Sequence, residues 1–406
     1  MIATIPELTG RQKIYTVIDE ITEENVSEVL NTALIVHLQN MSSMEYLYWY
    51  RRGVQDIVNR TKEIRSDICN KIIENHAAEI VAFKNGYFLT SPATYVARGK
   101  KSAKVKKLNE YLYRSGKQTA DNKIVDWFHT VGKGCLYVTP TGDKETPVKA
   151  YCLDPRNSFV VYSRKPDAKP IMGVNMVVDT EGKAIFDVFT ETKLFRLQGG
   201  YNSDPNVSQN ELNIPIQATA FGIISVEPNV LGRIPIIEYW YNSVGMGSFE
   251  EVISLLNAIN LVTSNQMDGI EQFIQSLCIA TNCNFEEGVT ANEIRKAGML
   301  LLKSIGENKA EFQILSEQLD QSQTQAYKTW LYEKMLTIVG MPTTSKGGTS
   351  TSDTGSAVLY RDGWQQAENC ARNTEDIFLE SNKYFDEIFV DILKKKTDLD
   401  LSLIHI

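Results

Sequence analysis

The chain has 406 residues, 43% of them hydrophobic, and a formal net charge of −8. That length and apolar content require more than one packed region, and the negative balance excludes the broad basic face from which ordinary nucleic-acid readers draw their affinity. No apolar stretch reaches the length of a membrane span, and the N-terminal MIATIPELTGR lacks the basic and apolar regions of a secretory leader, so a soluble, cytosolic protein is expected.

In chain order, Tyr46, Leu47, Tyr50, Val54, Ile57, Val58, Ile64, Ile68, Ile72, Ile80 and Val81 recur mostly every three or four residues, which predicts two helices over 43–85 broken near 60–66. The glycine and proline of KNGYFLTSPATY at 84–95 predict a short extended segment. Further helices are expected over 103–115 and 120–131. Between 134 and 240 the period changes. CLYVTP, AYCLDP, FVVYS, MGVNMVV, FDVFT and KLFRL predict an antiparallel sheet closed by GRIPIIEYWYNS at 232–243, with VGMG at 244–247 as a flexible joint and boundary.

After Ser248, read as an N-cap with Glu250 and Glu251 in the first turn, one apolar stripe runs through Phe249, Ile253, Leu256, Ile259 and Met267 to about residue 277. A small insert with strands AGMLLL and EFQIL separates it from a second helix over 320–340 that carries Trp330 and stops at Gly340 and Pro342. The run TTSKGGTSTSDTGSA at 343–357 is too polar and flexible to enter a core, so it must protrude. The third and longest helical pattern, over 356–396, pairs an apolar side with an acidic one bearing Glu368, Glu375, Asp376, Glu380, Asp386, Glu387 and Asp391. The fold class is α+β.

Chemical signatures are lacking. His37, His76, His129 and His405 fit no zinc spacing, the six cysteines are scattered as suits buried thiols in a reducing compartment, and there is no phosphate loop or nucleophile elbow. No catalytic residue, metal or cofactor is assigned. The cluster Arg98, Lys100, Lys101, Lys104, Lys106, Lys107, Arg114 and Lys117 reads as a solvated helix face or as a contact for phosphates or an acidic partner. The long apolar stripes are expected to be buried between subunits.

The order of these parts, with YWYRRG at 48–53, AEIVAFKNGYFLTSP at 78–92, GRIPIIEYWYNS and SFEEVISLLNAIN, resembles the portal proteins of tailed bacteriophages, in particular the SPP1-like group. The resemblance implies a wing over 1–247 built of helices and antiparallel sheet, stem helices at 248–277 and 320–340, and a small α/β clip at 278–319. It further implies a tunnel loop at 343–357, a channel helix over 356–396 leading towards a crown, and a tail at 397–406 expected to be truncated or foreign in place of that crown.

By the same resemblance the chain forms a dodecameric ring at a capsid vertex and passes double-stranded DNA without reading its sequence. The implied partners are the terminase large subunit, the major capsid protein, a scaffolding protein and a head completion or adaptor protein, with the host cytoplasm as the place of assembly and no membrane involved. The loop residues Thr343, Thr344, Ser345, Lys346, Thr349, Ser350, Thr351 and Ser352 would touch DNA, Glu368, Glu375, Asp376 and Glu380 would form an acidic wall, Phe249, Ile253, Leu256 and Trp330 the stem interface, and Glu286, Glu287, Glu293, Arg295 and Lys296 the clip's partner surface. An enzyme with an unrecognised active site in the 134–240 sheet, and a cytosolic scaffold of helical hairpins, are the competing readings.

Overall fold

A computed structural model describes residues 9–63, 66–89, 91–96, 103–178, 180, 183–199, 221–274, 277–281, 283–284, 303–304, 311–315, 321–343 and 363–397. The chain divides into two compact units, the first made of 1–54, 75–253 and 336–406, the second of 55–74 and 254–335.

The first unit holds helices α1 (Val26–Arg51), α2 (His76–Phe88), α3 (Ala103–Arg114), α4 (Lys117–Val131) and the long α7 (Trp364–Lys396). α1 begins far upstream of the expected start. Its buried stripe runs Val26, Val29, Leu30, Ala33, Leu34, His37, Asn40, Ser43, Met44, Leu47 and Tyr50, and polar members such as His37 and Asn40 hide it from an apolar count. These two serve as hydrogen-bond partners for neighbouring backbone: Asn40 exchanges two bonds with the Gln12 main chain, at 2.9 and 2.8 Å, and His37 Nε2 lies 2.7 Å from the Arg156 carbonyl oxygen with its ring stacked on Phe159. Burial, with Lys133 nearby, lowers the His37 pKa to about 3, so the ring is neutral. α2 runs on to Phe88 through the expected extended segment, since Gly86 is tolerated in a helix whose cap amide at Leu89 bonds Asn85.

The expected single antiparallel sheet is two sheets. Six strands lie in the order β1 (Ile14–Thr16), β4 (Ser158–Ser163), β5 (Pro170–Val178), β6 (Ala184–Phe189), β7 (Lys193–Gln198) and β8 (Gly222–Pro228), while β3 (Val148–Leu153), β2 (Lys133–Pro140) and β9 (Ile236–Trp240) form the other sheet. β1 pairs with β4 in parallel. Neither β1 nor β8 was anticipated. The two sheets are joined by a wholly buried ion pair: Lys133 Nζ on β2 donates to Glu238 on β9 at 2.8 Å, and the same carboxylate accepts the Val160 amide and the Tyr162 hydroxyl of β4 at 3.1 and 3.2 Å.

The expected joint at 244–247 lies inside the first unit. Gly132 and Gly245 both have positive φ, and a Cβ on Gly132 would stand 1.9 Å from the Gly245 carbonyl oxygen, so this close approach needs glycine. Arg11 seals it, with its amide on the Gly245 carbonyl at 3.0 Å and its guanidinium 2.5 Å from Glu250. Both of these side chains are fully inaccessible. Ser248 is not an N-cap, because its hydroxyl donates to the His129 carbonyl at 2.8 Å. Helix α5 (Ile253–Ile274) instead begins after a 3-10 turn at Glu250–Val252 and has 22 residues.

The second unit contains most of α5, most of α6 (Ser322–Ile338) and the short antiparallel pairs β10 (Leu277–Thr281) with β13 (Glu311–Leu315) and β11 (Cys283–Asn284) with β12 (Lys303–Ser304). β13 is the expected EFQIL strand, and AGMLLL at 297–302 lies outside the described residues. Beside its apolar stripe, α5 carries a polar one at Asn257, Asn260, Ser264, Asp268 and Glu271, spaced three or four residues apart. The 55–74 segment lies along it. Asn260 and Ser264 accept the Glu74 and Ile72 amides at 2.8 and 3.0 Å, and Asp268 accepts the Asn70 amide at 2.7 Å and pairs with Arg60 and Lys62 at 2.8 and 2.9 Å. This is why the described residues of 60–75 are not helical.

Burial raises the Asp268 pKa, but the Asn70 amide, Lys62 and Arg60 outweigh it and bring the group to about 2. A carboxyl lowered in the fold stabilises it above the ordinary value near 3.8 and loses that contribution as pH falls from there towards 2. Hydrogen-exchange protection of the 55–74 amides, corrected for intrinsic rates, is therefore expected to fall between pH 4 and pH 2. Asp268→Asn should lose about 2 kcal/mol of local stability and show faster tryptic cleavage within the segment at neutral pH, and unchanged cleavage would refute this role.

Candidate functional site

Of the residues that the sequence singles out, those described lie on α7, at and just before the start of α5, on α6 and at Thr343. α7 starts after Gly363, which has positive φ. Its apolar side, Phe378, Phe385, Ile388, Phe389, Ile392 and Leu393, joins one core with Leu108, Phe128, Leu136 and Tyr239. At the centre of that contact lies a charge. Lys117, 4% exposed, reaches the Asp121 carboxylate and donates to Asn382 of α7 at 3.0 Å, with the Phe385 ring centroid 4.7 Å away. The Tyr239 hydroxyl donates to the same Asn382 oxygen at 2.8 Å. Burial lowers the lysine's pKa and raises that of Asp121, and their mutual attraction opposes both shifts. Lys117 is thus part of the core, not of a basic surface patch.

Acids of α7 divide into two groups. Asp386 accepts the Tyr95 hydroxyl at 2.5 Å, and Arg233 clamps Glu387 and Asp391 at 2.8 and 3.0 Å, so these three dock the helix on the first unit instead of lining an exposed face. Glu368 is half-buried, accepting from Tyr87 and Arg372, each at 2.9 Å. Glu375, Asp376 and Glu380 are exposed and make no hydrogen bond or ion pair among the described residues. The acidic surface is real but narrower than the sequence implied.

Of the loop residues, Thr343 is described and half-buried, while Thr344, Ser345, Lys346, Thr349, Ser350, Thr351 and Ser352 lie outside the described residues. So do Glu286, Glu287, Glu293, Arg295 and Lys296. Phe249, Ile253 and Leu256 are 0%, 6% and 1% exposed in the single chain, with Phe249 stacked on Tyr50 at 5.9 Å. They are core positions and do not need a second subunit to cover them. Trp330 is 49% exposed and stacks on Tyr327, itself exposed, and Leu261, Met267 and Ile270 of α5 are exposed as well.

A cleft of the first unit, about 1120 Å³, is lined among others by Tyr48, Arg51, Arg52, Lys123, Asp126, Trp127, Cys152 and Asp154. Its charges are mostly committed: Arg51 grips Asp126 with two bonds of 2.7 Å, and Arg156 holds Asp154 and Glu45 at 2.6 and 2.7 Å while lying over Tyr48. Burial raises the Cys152 thiol to about 12, which leaves it protonated and unreactive at neutral pH. The convergent polar cluster of the 134–240 region, Lys133 with Glu238 and Tyr162, is sealed between the sheets and has the character of a structural tie. Lys133 and Glu238 are 105 residues apart in sequence, so local spacing gave no signal of the pair. Among the described residues no group of three or more His, Cys, Asp or Glu side chains could hold a metal ion, and no helix is long and apolar enough to cross a membrane.

A family model described as phage portal protein, SPP1 Gp6-like, matches residues 32–399. The chain belongs to that family. It is a bacteriophage portal protein, in the class of head-tail connectors through which DNA is packaged. No curated protein matches the chain. Within this portal, α7 is the long helix that the sequence pattern singled out, and its seat on the first unit fixes which of its acids stay free.

That seat is tested through Lys117. Lys117→Met strands Asp121 in the core and should cost about 3 kcal/mol or more in urea unfolding. Adding Asp121→Asn should recover part of the loss, and a single variant as stable as the parent would contradict the buried clamp.

Proposed function

We propose that copies of this chain close into a ring at one capsid vertex and that double-stranded DNA passes through it during packaging and ejection. The observation that carries the reading is the portal match across 32–399, and the surface chemistry supports it. A sliding duplex is retarded by each lysine or arginine held against a phosphate, because released counterions add affinity that accumulates around a ring. Exposed Glu375, Asp376 and Glu380 repel phosphates instead. Twelve copies are the number that the SPP1-like resemblance implies.

In this reading 1–247 is the wing, 248–277 and 320–340 are the stem helices, 278–319 is the clip, 343–357 is the tunnel loop, and α7 lines the channel on its way to a crown. The hydroxyls and glycines of the loop offer weak, quickly exchanged contacts to the DNA backbone without base readout. The clip is the docking surface for terminase and later for head completion proteins, and the outer wing faces capsid and scaffolding protein. The role is structural and not enzymatic, and its place is the virion vertex after assembly in the host cytoplasm.

Exposed Trp330, Tyr327, Leu261 and Met267 supply apolar area for a neighbour to cover. A surface that complements a different surface of the next copy closes into a cycle when the rotation fits.

Two outcomes test the proposal. Trp330→Glu should reduce ring formation in light scattering with an unchanged circular dichroism spectrum, whereas Leu256→Asp should unfold the chain, since Leu256 is already buried. Deleting 345–355 should leave rings intact in negative stain and impair DNA packaging or retention. A monomer without a pore, or normal packaging by the deletion, would overturn the corresponding part.

A further inference from the structure

The cleft of about 1120 Å³ takes its walls from the ends of α1, α2 and β3 and from α4, all within the first unit. Its two acids are claimed from inside the chain. Arg51 holds Asp126 with two bonds of 2.7 Å and Asn85 adds a third of 2.7 Å, while Arg156 holds Asp154 at 2.6 Å. Two cations of the lining have no such partner. The side chains of Arg52 and Lys123 are exposed and make no hydrogen bond or ion pair among the described residues. On a convex surface this would mean little, but a cleft focuses the field of the charges that line it.

Arg52 is also held in place. Its guanidinium carbon lies 4.3 Å from the Tyr48 ring centroid, and Arg156 lies over the same ring at 4.2 Å. Trp127 is stacked on Tyr48 at 5.4 Å, and Trp49, 44% exposed, meets it edge-on at 5.4 Å. Stacking fixes the guanidinium plane without using its N–H donors, so less freedom is lost when a ligand arrives. Trp, Tyr and Arg are the residues that carry most of the energy at protein interfaces.

Size and chemistry together select the occupant. The volume exceeds the roughly 300–1,000 Å³ of sites for small molecules, so a single free anion would leave most of it empty. A nucleic-acid strand would stack its bases on open aromatic faces, and Tyr48 is already covered by guanidinium groups and by Trp127. An extended peptide alternates its side chains between two sides. Acids on one side meet Arg52 and Lys123, and apolar residues on the other meet Leu89 and Leu153, which also line the cleft. Exposed Thr119 and Asn122 offer polar groups to the peptide main chain.

We infer that this cleft docks an extended acidic segment of another protein, with its carboxylates on Arg52 and Lys123. The site is built within one chain, so the inference does not depend on the ring reading.

The test uses the full-length chain and a fluorescein-labelled hexapeptide of alternating glutamate and leucine. Expected are saturable binding in fluorescence polarisation at physiological salt and, after carbodiimide treatment, a cross-link from a peptide glutamate to Lys123. Combined Arg52→Gln and Lys123→Gln should weaken binding about tenfold or more, as loss of charge-assisted hydrogen bonds requires, with an unchanged circular dichroism spectrum. Combined Lys106→Gln and Lys107→Gln removes the same charge from the exposed face of α3 and should leave binding unchanged. No saturable binding, equal weakening by the two pairs of substitutions, or equal affinity for a glutamine and leucine peptide overturns the inference. Displacement of the peptide by inorganic phosphate assigns the cleft to a free anion, and tighter binding of hexathymidylate assigns it to nucleic acid. A Lys123 cross-link to a second copy in the chain alone assigns it to an interface between copies, and each of these three outcomes likewise overturns it. None of the readouts requires a ring, so failure of the docking site and failure of the ring are seen separately.

Discussion

The seating of one 33-residue helix on a buried lysine is the constraint from which the rest of the first unit follows. Lys117 is out of water, so its charge must be balanced locally, and Asp121 does this from the next turn of its own helix. The remaining donor capacity is spent on Asn382, which ties α4 to α7 in a single geometry. A purely apolar contact between the same helices would tolerate sliding by a turn. This one does not, because a shift would strand the ammonium beneath three aromatic rings. Fixing the rotation of α7 in turn determines which acids meet Arg233 and Tyr95 and which are left to solvent.

Buried polar groups play the same part elsewhere in the molecule. Arg11 with Glu250 fixes the N-terminal segment against the 244–247 turn, and Lys133 with Glu238 holds two sheets together. In the second unit a stripe of Asn, Ser and Asp on α5 accepts main-chain amides from Asn70, Ile72 and Glu74, which lie outside helix and strand. Such ties are weak evidence of net stability, since apolar replacements often do as well, but each of them admits only one register. In the proposed ring, where the same contacts would repeat from copy to copy, a unique register is worth more than additional stability.

That economy also explains what could be read from the sequence. α3, α4, β2 to β7 and the body of α7 were legible because their apolar residues keep the period of the element, and Gly340 with Pro342 marked the end of α6. The start of α1 was not, because His37 and Asn40 occupy buried positions where the pattern expects hydrocarbon. The polar stripe of α5 was invisible for the same reason, and Ser248 resembled a cap because local spacing cannot reveal that its hydroxyl is claimed by His129, 119 residues earlier. Phe249, Ile253 and Leu256 have the spacing of an interface, yet periodicity shows only that a face is covered, not whether its own chain or another copy covers it.

Charge on α7 shows how that ambiguity resolves when packing is known. From sequence alone all its acids belong to one negative face. Once Arg233 and Tyr95 claim Asp386, Glu387 and Asp391, and Tyr87 with Arg372 claims Glu368, the free charge contracts to three residues in the middle of the helix. In the proposed ring a narrow belt of carboxylates would still repel a duplex over a Debye length of about 8 Å in physiological salt. Acids beyond that belt are better used as anchors, because a charge paired with Arg233 no longer acts on a passing phosphate but does hold the helix that carries the belt. The division between anchoring and repelling acids is therefore a consequence of the docking contact, set by the rotation that Lys117 imposes.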